Sequence, residues 1–219
     1  SGTGALAITL GQGVAVNASV GVNDIKNSVI AQVSAAKVSA ALGSVTVSAE
    51  ESARIINVVV GGAASGGGNA FGGSLAVNLI NNTVASSIVL DSDLFAQKDV
   101  SVLAKDTASI ATLAGNISAS FGGKAGVGFA FAVNSVQDNV SALIDDSAVE
   151  AKTGNLTVDA TFAKPTSLPS GLDAQIAAMA VSGGGADAIA GAGSVALNWV
   201  RNSVNAKISN VTDSKAGAD

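Results

Sequence analysis

The sequence predicts an all-β fold, a β-solenoid of the right-handed parallel β-helix type built from repeats of about 55 residues. Three observations predict it: a 14-residue motif occurs four times, apolar residues alternate with polar ones inside the motif, and small and β-branched side chains dominate the apolar composition. Hydrophobic residues make up 48% of the 219 residues, but aromatic residues only 3%. A core of Val, Ile and Ala suits closely stacked strands.

The repeated motif is built around a shared asparagine. Its copies are 20–33 (VGVNDIKNSVIAQV), 75–88 (LAVNLINNTVASSI), 131–144 (FAVNSVQDNVSALI) and 195–208 (VALNWVRNSVNAKI). The shared residues, at intervals of 55, 56 and 64 positions, are Asn23, Asn78, Asn134 and Asn198. Such a period is typical of arrays in which each repeat stacks on the next. We therefore expect residues 1–219 to form one array, cut from a longer protein, with approximate repeats 1–44, 45–99, 100–155 and 156–219.

Each copy has a period of two. From Asn134, every second residue is Val136, Asp138, Val140, Ala142 and Ile144, and the residues between them are mostly polar across the four copies. This pattern predicts a strand with one buried face and one solvated face. Just before the asparagine the apolar residues change phase, since Phe129, Phe131 and Val133 occupy odd positions. We expect a bulge or a corner between two sheets at that point.

A second strand signal follows each motif. Val45, Val47 and Ala49 are followed by Ala53 and Ile55, and the same pattern recurs over 100–110 and 156–176. The polar segments 50–52 and 105–107 between the two halves are predicted to be turns. In the third copy the gap is ten residues longer and contains both prolines, Pro165 and Pro169. This difference predicts an insert loop over 161–173.

Glycine-rich stretches at 61–73, 115–128 and 183–193 separate these strands from the next motif. They fit either tight turns or strands in which two backbones approach closely. Two geometries stay open. In the one we favour, each unit supplies two or three coils of a parallel solenoid; in the other, stacked antiparallel hairpins form a two-sheet roll. Helix is expected at most as a short turn around 172–181.

Two polar columns and one loop are the candidate sites. Because the columns are in phase with buried Ile and Val, we favour side-chain ladders between repeats over ligand contact. The first column is Asn23, Asn78, Asn134 and Asn198, and the second is Asn27, Asn82, Asp138 and Asn202. A surface contact is expected from the insert and from a tryptophan on the polar face of its strand. These contact candidates are Lys164, Pro165, Leu168, Pro169 and Trp199.

Composition disfavours most other classes of function. The chain has no Cys and no His, which excludes disulfides, thiol nucleophiles and histidine bases from its chemistry. The pairs Asp91/Asp93 and Asp145/Asp146 are interpreted as solvated turns, since calcium needs more oxygen ligands and the first repeat has Ser34 to Ala36 there. With a net charge of −5 and no basic cluster, nucleic acid is not an expected partner. We predict no enzymatic activity, no cofactor, no metal site and no small-molecule substrate.

The segments Ala76-Val77-Asn78, Ala132-Val133-Asn134 and Asn82-Thr83-Val84, with their Gly-, Ala- and Ser-rich spacers, carry a family resemblance. The chain resembles the giant repetitive bacterial surface adhesins, namely the filamentous-haemagglutinin-like adhesins and the leukotoxin-type filamentous adhesins, over nearly its whole length. The resemblance implies an extracellular stalk or adhesion segment at the bacterial cell surface. Its partner would be a receptor on a host or neighbouring cell, or another copy along the fibre.

An alternative function is a membrane-active toxin segment of a leukotoxin-type protein. Alternating apolar strands and a mean hydropathy of +0.48 are compatible with it. The near absence of aromatic girdle residues, with no Tyr and one Trp, favours the stalk.

Overall fold

The computed structural model describes residues 1–163 and 175–217. These residues form 19 strands and no helix, and every strand pair is parallel and in register. The prediction of an all-β chain with stacked parallel strands is confirmed. The alternative of stacked antiparallel hairpins is wrong for the described part of the chain.

The strands follow one another in four layers, of which the first three contain five strands each. The first layer is β1 (Gly2–Thr9), β2 (Ala15–Ile25), β3 (Ser28–Ser34), β4 (Lys37–Ala40) and β5 (Val45–Glu51). The second is β6 (Arg54–Ser65), β7 (Ala70–Ile80), β8 (Thr83–Val89), β9 (Ser92–Ala96) and β10 (Val100–Asp106). The third is β11 (Ser109–Ser120), β12 (Ala125–Val136), β13 (Asn139–Asp145), β14 (Ser147–Ala151) and β15 (Leu156–Phe162). The fourth is β16 (Ile176–Gly185), β17 (Ile189–Val200), β18 (Ser203–Ser209) and β19 (Asp213–Ala216).

Equivalent strands of successive layers pair to form five sheets. Their members are β1-β6-β11-β16, β2-β7-β12-β17, β3-β8-β13-β18, β4-β9-β14-β19 and β5-β10-β15. Asn78 pairs with Asn23 on one side and with Asn134 on the other. Because paired residues of the first three layers are 55 or 56 positions apart, one unit makes a single turn. The expectation of two or three coils per unit is therefore wrong.

The sheets of β3, β4 and β5 enclose a hydrophobic core, and we call this part the aliphatic lobe. Its inward residues are large and branched, and Val84, Ile88, Val102, Val140 and Ile144 have no solvent-exposed surface. Fully burying each such side chain contributes about 1.5–3 kcal/mol. The strand signals at Val45, Val100 and Leu156 fall here in one register, as their spacing predicts.

The sheets of β1 and β2 face each other across a much narrower interior, and we call this part the small-residue lobe. In β12 the inward residues are Gly126, Gly128, Ala130, Ala132 and Asn134. A Cβ on Gly126 would lie 2.1 Å from the carbonyl oxygen of Gly185 in the opposite sheet, and one on Gly128 would lie 2.5 Å from that of Gly183. The two backbones are so close that only small inward side chains fit.

The predicted phase change before the asparagine is absent. β12 continues unbroken to Val136, with even-numbered residues inward throughout. Phe129 and Phe131 point outward and are 47% and 42% exposed. The expected corner lies two residues after the strand's end, near Asp138. The apolar alternation gave the wrong prediction because the interior of this lobe holds Gly and Ala. The large apolar residues therefore occupy the outer face.

Three further sequence interpretations change in the structure. The glycine-rich stretches contain both strand ends and turns: Gly61 lies in β6 and Gly72 in β7, while 66–69 form the turn between them. Segment 105–107 is not a solvated turn, because Asp106 is fully buried at the end of β10. Residues 176–181 belong to β16, so the short helical turn is wrong there, and the first two residues of the predicted insert, Thr161 and Phe162, still belong to β15.

Glycine at position 128 is expected to be essential for sheet packing. Gly128→Ala places a methyl group against the Gly183 carbonyl and should destabilise the fold by about 1–3 kcal/mol. The matched control is Gly73→Ala, because a Cβ there meets nothing within 4 Å; it should leave stability unchanged or raise it by about 0.4–1 kcal/mol. Chemical denaturation measures both. Equal stability of the two variants would contradict the close approach of the sheets.

Candidate functional site

The first asparagine column forms a continuous ladder through all four layers. The Nδ2 of Asn23 donates to Oδ1 of Asn78, that of Asn78 to Asn134, and that of Asn134 to Asn198, each at 2.8 Å. The column stands at the inner end of the small-residue lobe, where β2, β7, β12 and β17 approach their corners. Each amide both donates and accepts along the axis, which requires an amide at every level.

Asn78 also joins the two facing sheets. Its Oδ1 accepts a second hydrogen bond from Asn57 on β6, and its Nδ2 donates a second one to Thr112 on β11, both at 2.8 Å. The Thr112 hydroxyl in turn donates to Oδ1 of Asn134 at 2.7 Å. Asn78 is fully buried and uses all four of its hydrogen-bonding positions. The ladder is therefore a cross-link between sheets as well as between layers.

The second column bonds differently. Here the side-chain oxygen of one layer accepts from the backbone N–H of the previous layer: Asn82 Oδ1 from Asn27, Asp138 Oδ1 from Asn82 and Asn202 Oδ1 from Asp138, at 3.2, 2.7 and 3.1 Å. These residues stand at corners, where the strand ladder is interrupted. Only an acceptor oxygen is needed, so a carboxylate can replace the amide at position 138, whereas the first column contains asparagine alone.

Three carboxylates meet beside the second column, on the inside of the corners. Asp106 and Asp138 are 0% and 2% exposed, and Glu51 lies one layer before Asp106 in the same sheet. Asn82 Nδ2 donates to Asp106 at 3.4 Å, and Asn27 Nδ2 donates to Glu51. Among the described residues, one oxygen of each of the three carboxylates has no hydrogen-bond partner. Sequence reasoning assigned 50–52 and 105–107 to turns and so missed this cluster, although Asp106 is in phase with Val102 and Ala104.

Burial dominates the electrostatics of the cluster. It raises the pKa of Asp106 to about 6, with the Asp138 carboxylate adding to the effect and the Asn82 amide opposing it. Burial likewise raises the pKa of Asp138. A buried carboxyl without a cation is favoured in its neutral form. The described residues contain no group of three or more His, Cys, Asp or Glu side chains arranged to hold a metal ion.

The acidic residues considered for calcium serve the corner between the β3 and β4 sheets. Asp91 and Asp146 adopt positive φ angles of 53° and 46°, which Asp tolerates better than most residues. Asp93 forms an ion pair with Lys37 at 3.3 Å. Asp145 accepts hydrogen bonds from Ser209 and Asn210, and the Ser209 hydroxyl is the main cause of its lowered pKa. The carboxylates of Asp93 and Asp145 are therefore engaged by neighbouring side chains of the protein.

The predicted contact residues are only partly visible. Lys164, Pro165, Leu168 and Pro169 lie outside the described residues. Trp199 lies on the outer face of β17 and is 44% exposed. With Arg201, Ser135 and Gln137 it lines a shallow surface depression of about 210 Å³. The depression is small and open, and it has no buried charged group.

The outer faces of the small-residue lobe are the surface feature that the sequence analysis missed. Outward residues of β2, β7, β12 and β17 are mostly large and apolar. Those of β1, β6, β11 and β16 mix exposed large residues, such as Leu6, Ile56 and Ile117, with Gly and Ala. On the face formed by β1, β6, β11 and β16, a groove of about 610 Å³ runs over Gly62 and Ala64 between Leu6 and Ile117. The signal in the sequence was the run of Gly and Ala in phase with Asn134, which marks the inward positions.

Comparisons of the chain with protein-family models, with curated proteins and with solved structures gave no match. Within the described ranges there is no helix with the length and hydropathy that a membrane crossing requires.

The first column is expected to require an amide. Asn78→Asp removes the two donors that serve Asn134 and Thr112 and adds a buried charge, so it should destabilise the fold by about 3 kcal/mol or more. In the second column, Asp138→Asn keeps the acceptor that Asn82 needs and should be neutral or stabilising. Urea denaturation at neutral pH distinguishes them. A similar decrease in the free energy of unfolding in both variants would contradict the different roles of the two columns.

The carboxylate at Asp106 is expected to make stability depend on pH. Its pKa in the folded chain, about 6, is above the ordinary value of 3.8. The folded state therefore binds the proton more tightly, and its stability falls as pH rises from about 4 to about 6 and is then constant. Asp106→Asn should remove this loss and stabilise the chain at pH 7 by up to about 3 kcal/mol.

The measurement for Asp106 is the difference in unfolding free energy between the variant and the parent chain across pH 4 to 7.5. The expected difference is small near pH 4 and grows until about pH 6. A difference that is constant with pH, or that shrinks as pH rises, would refute the assignment of the raised pKa to Asp106.

Proposed function

We propose that this chain is a structural segment of a long extracellular stalk on the bacterial cell surface, a right-handed solenoid of 55-residue coils that positions an adhesive region away from the cell. The single observation that carries the proposal is the in-register pairing of each strand with its equivalent in the layers on either side. Such stacking extends in one direction only, so added repeats lengthen the molecule without changing its cross-section.

The hydrogen bonds support a load-bearing role. In each sheet the backbone bonds run along the stacking axis. Five sheets share the load between the first three layers, and four sheets share it between the third layer and the fourth. The asparagine ladder adds side-chain bonds in the same direction. Each layer adds about 4.8 Å, so the four layers described are a short piece. A stalk of about 100 Å needs about 21 such layers.

The bacterial and extracellular parts of the proposal come from the sequence resemblance to surface adhesins. Adhesion is proposed to reside in Trp199, which is 44% exposed, and in the insert residues, which lie outside the described residues. These insert candidates are Lys164, Pro165, Leu168 and Pro169. The proposal contains no catalytic step, and the described depressions beside Trp199 and over Gly62 are open surfaces. A receptor on a host or neighbouring cell, or another copy of the chain along the fibre, is the proposed partner.

Duplicating one coil tests the stalk. Residues 54–108 span one register unit, because Arg54 pairs with Ser109. Inserting further copies of 54–108 after position 108 should lengthen the particle by about 4.8 Å per copy at constant cross-section, measured by small-angle scattering and electron microscopy. The matched control inserts 54–101, which has similar composition but breaks the register, and should not produce regular lengthening. Growth in all dimensions with the 54–108 series would refute the proposal.

A further inference from the structure

We propose that the small-residue lobe carries a self-association surface: the outward residues of β2, β7, β12 and β17, which we call the aromatic face, pack against the same face of a second copy of this chain. This lateral contact goes beyond the stalk role and does not depend on it. Two copies would lie side by side, in contrast to copies added end to end along the fibre.

The aromatic face is apolar in continuous rows. Register pairing places Val20, Leu75, Phe131 and Val195 side by side across the four layers, and the next row is Val22, Val77, Val133 and Leu197. Of the seven aromatic residues in the chain, four are in outward positions here: Phe71, Phe129, Phe131 and Trp199. Asp24, near the end of β2, is the one charged residue in an outward position of these four strands. Aromatic and large aliphatic side chains with little charge are the composition of interface centres.

Charged residues are few in the small-residue lobe. Of the chain's 11 basic and 16 acidic residues, only Asp24, Arg54, Lys124 and Asp187 fall in the lobe segments 1–25, 54–80, 109–136 and 176–200. All four lie at the ends of the strands or in the turns. The chain is acidic overall, but its charges belong mainly to the aliphatic lobe and corners. Two copies can therefore approach through this face with little like-charge repulsion.

The area is close to what a stable dimer needs. A strand of 11 residues spans about 36 Å, and four strands at about 4.8 Å give a face of roughly 700 Å². A standard interface buries about 800 Å² per partner. The largest exposed apolar patch on a typical monomer is about 300–600 Å². Each further coil adds about 170 Å², so longer arrays exceed the requirement.

A second copy fits this face better than a lipid bilayer does. The strands at the two ends of the described stack, β2 and β17, have outer backbone groups without partners among the described residues. Hydrocarbon cannot satisfy such groups, whereas between two copies in water they stay solvated. Face-to-face packing of sheets is also an ordinary arrangement for flat apolar strands.

The test compares charge substitutions on the two outer faces. Phe131→Glu and Val20→Glu each place a carboxylate in the central row of the aromatic face, at positions 42% and 53% exposed. The control is Val60→Glu on the opposite face, 45% exposed and with the same change in charge. Sedimentation velocity over a wide concentration range gives the association constant. Circular dichroism and thermal melting check that each variant is folded. If one of the two aromatic-face variants does not fold, the other is sufficient for the comparison.

We expect the parent chain to dimerise, both aromatic-face variants to associate more than about tenfold more weakly, and Val60→Glu to be unaffected. A chain with one extra copy of 54–108 should associate more tightly than the parent, since it presents a larger face. A monomer at all concentrations would overturn the proposal, as would equal weakening by Val60→Glu. The proposal would also be overturned if Phe131→Glu left the association constant unchanged and abolished only the flotation of the chain with phosphatidylcholine vesicles. That result would assign the aromatic face to lipid.

Discussion

The rest of the structure depends on the in-register parallel pairing of each strand with its equivalent one layer away. In this arrangement a side chain stacks on its own counterpart from the neighbouring repeats. Whatever stands at a position in one layer must therefore tolerate similar residues directly above and below it at about 4.8 Å. Val140 meets this condition because it stacks on Val84 of the neighbouring layer. Asn134 meets it through a side-chain hydrogen bond with Asn78. A charged residue inside the stack cannot meet this condition without a partner, and the carboxyls of Asp106 and Asp138 respond with raised pKa values.

This constraint explains why the two polar columns accept different residues. In the first column each side chain is both donor and acceptor to its own kind, so only an amide completes the chain of bonds. In the second column the partner is a backbone N–H at a corner, and an oxygen is sufficient. The carboxylate at Asp138 meets that requirement through its bond from Asn82, but its burial next to Asp106 has an electrostatic cost. At this corner the backbone N–H of Asn82 has its acceptor, but one oxygen of Asp138 has no hydrogen-bond partner among the described residues.

The fold could be predicted from the sequence where the repeated apolar residues are also the buried ones. It could not be predicted where the repeated apolar residues point outward. The spacing of Asn23, Asn78 and Asn134 fixes which strands pair, and the alternation after each asparagine identifies inward residues in the aliphatic lobe. Before the asparagine the same rule fails, because Phe129 and Phe131 are large and apolar yet point outward. Hydrophobicity indicates burial only if the interior has room, and the width of the gap between two sheets is a tertiary property. The number of coils per unit also depends on that geometry, because two long strands and three short ones complete one turn.

The division into two lobes gives the chain an uneven cross-section with different properties on each side. The aliphatic lobe encloses its large side chains and exposes most of the charges, as a soluble domain does. The small-residue lobe does the opposite: Gly128 and Ala130 face inward, and Phe131 faces water. Its inner stability comes from close backbone approach and the Asn78 hydrogen bonds, which leaves the large apolar side chains free to contact something else. Since every added repeat extends both surfaces, a longer array has a charged, solvated side and an apolar side along its whole length.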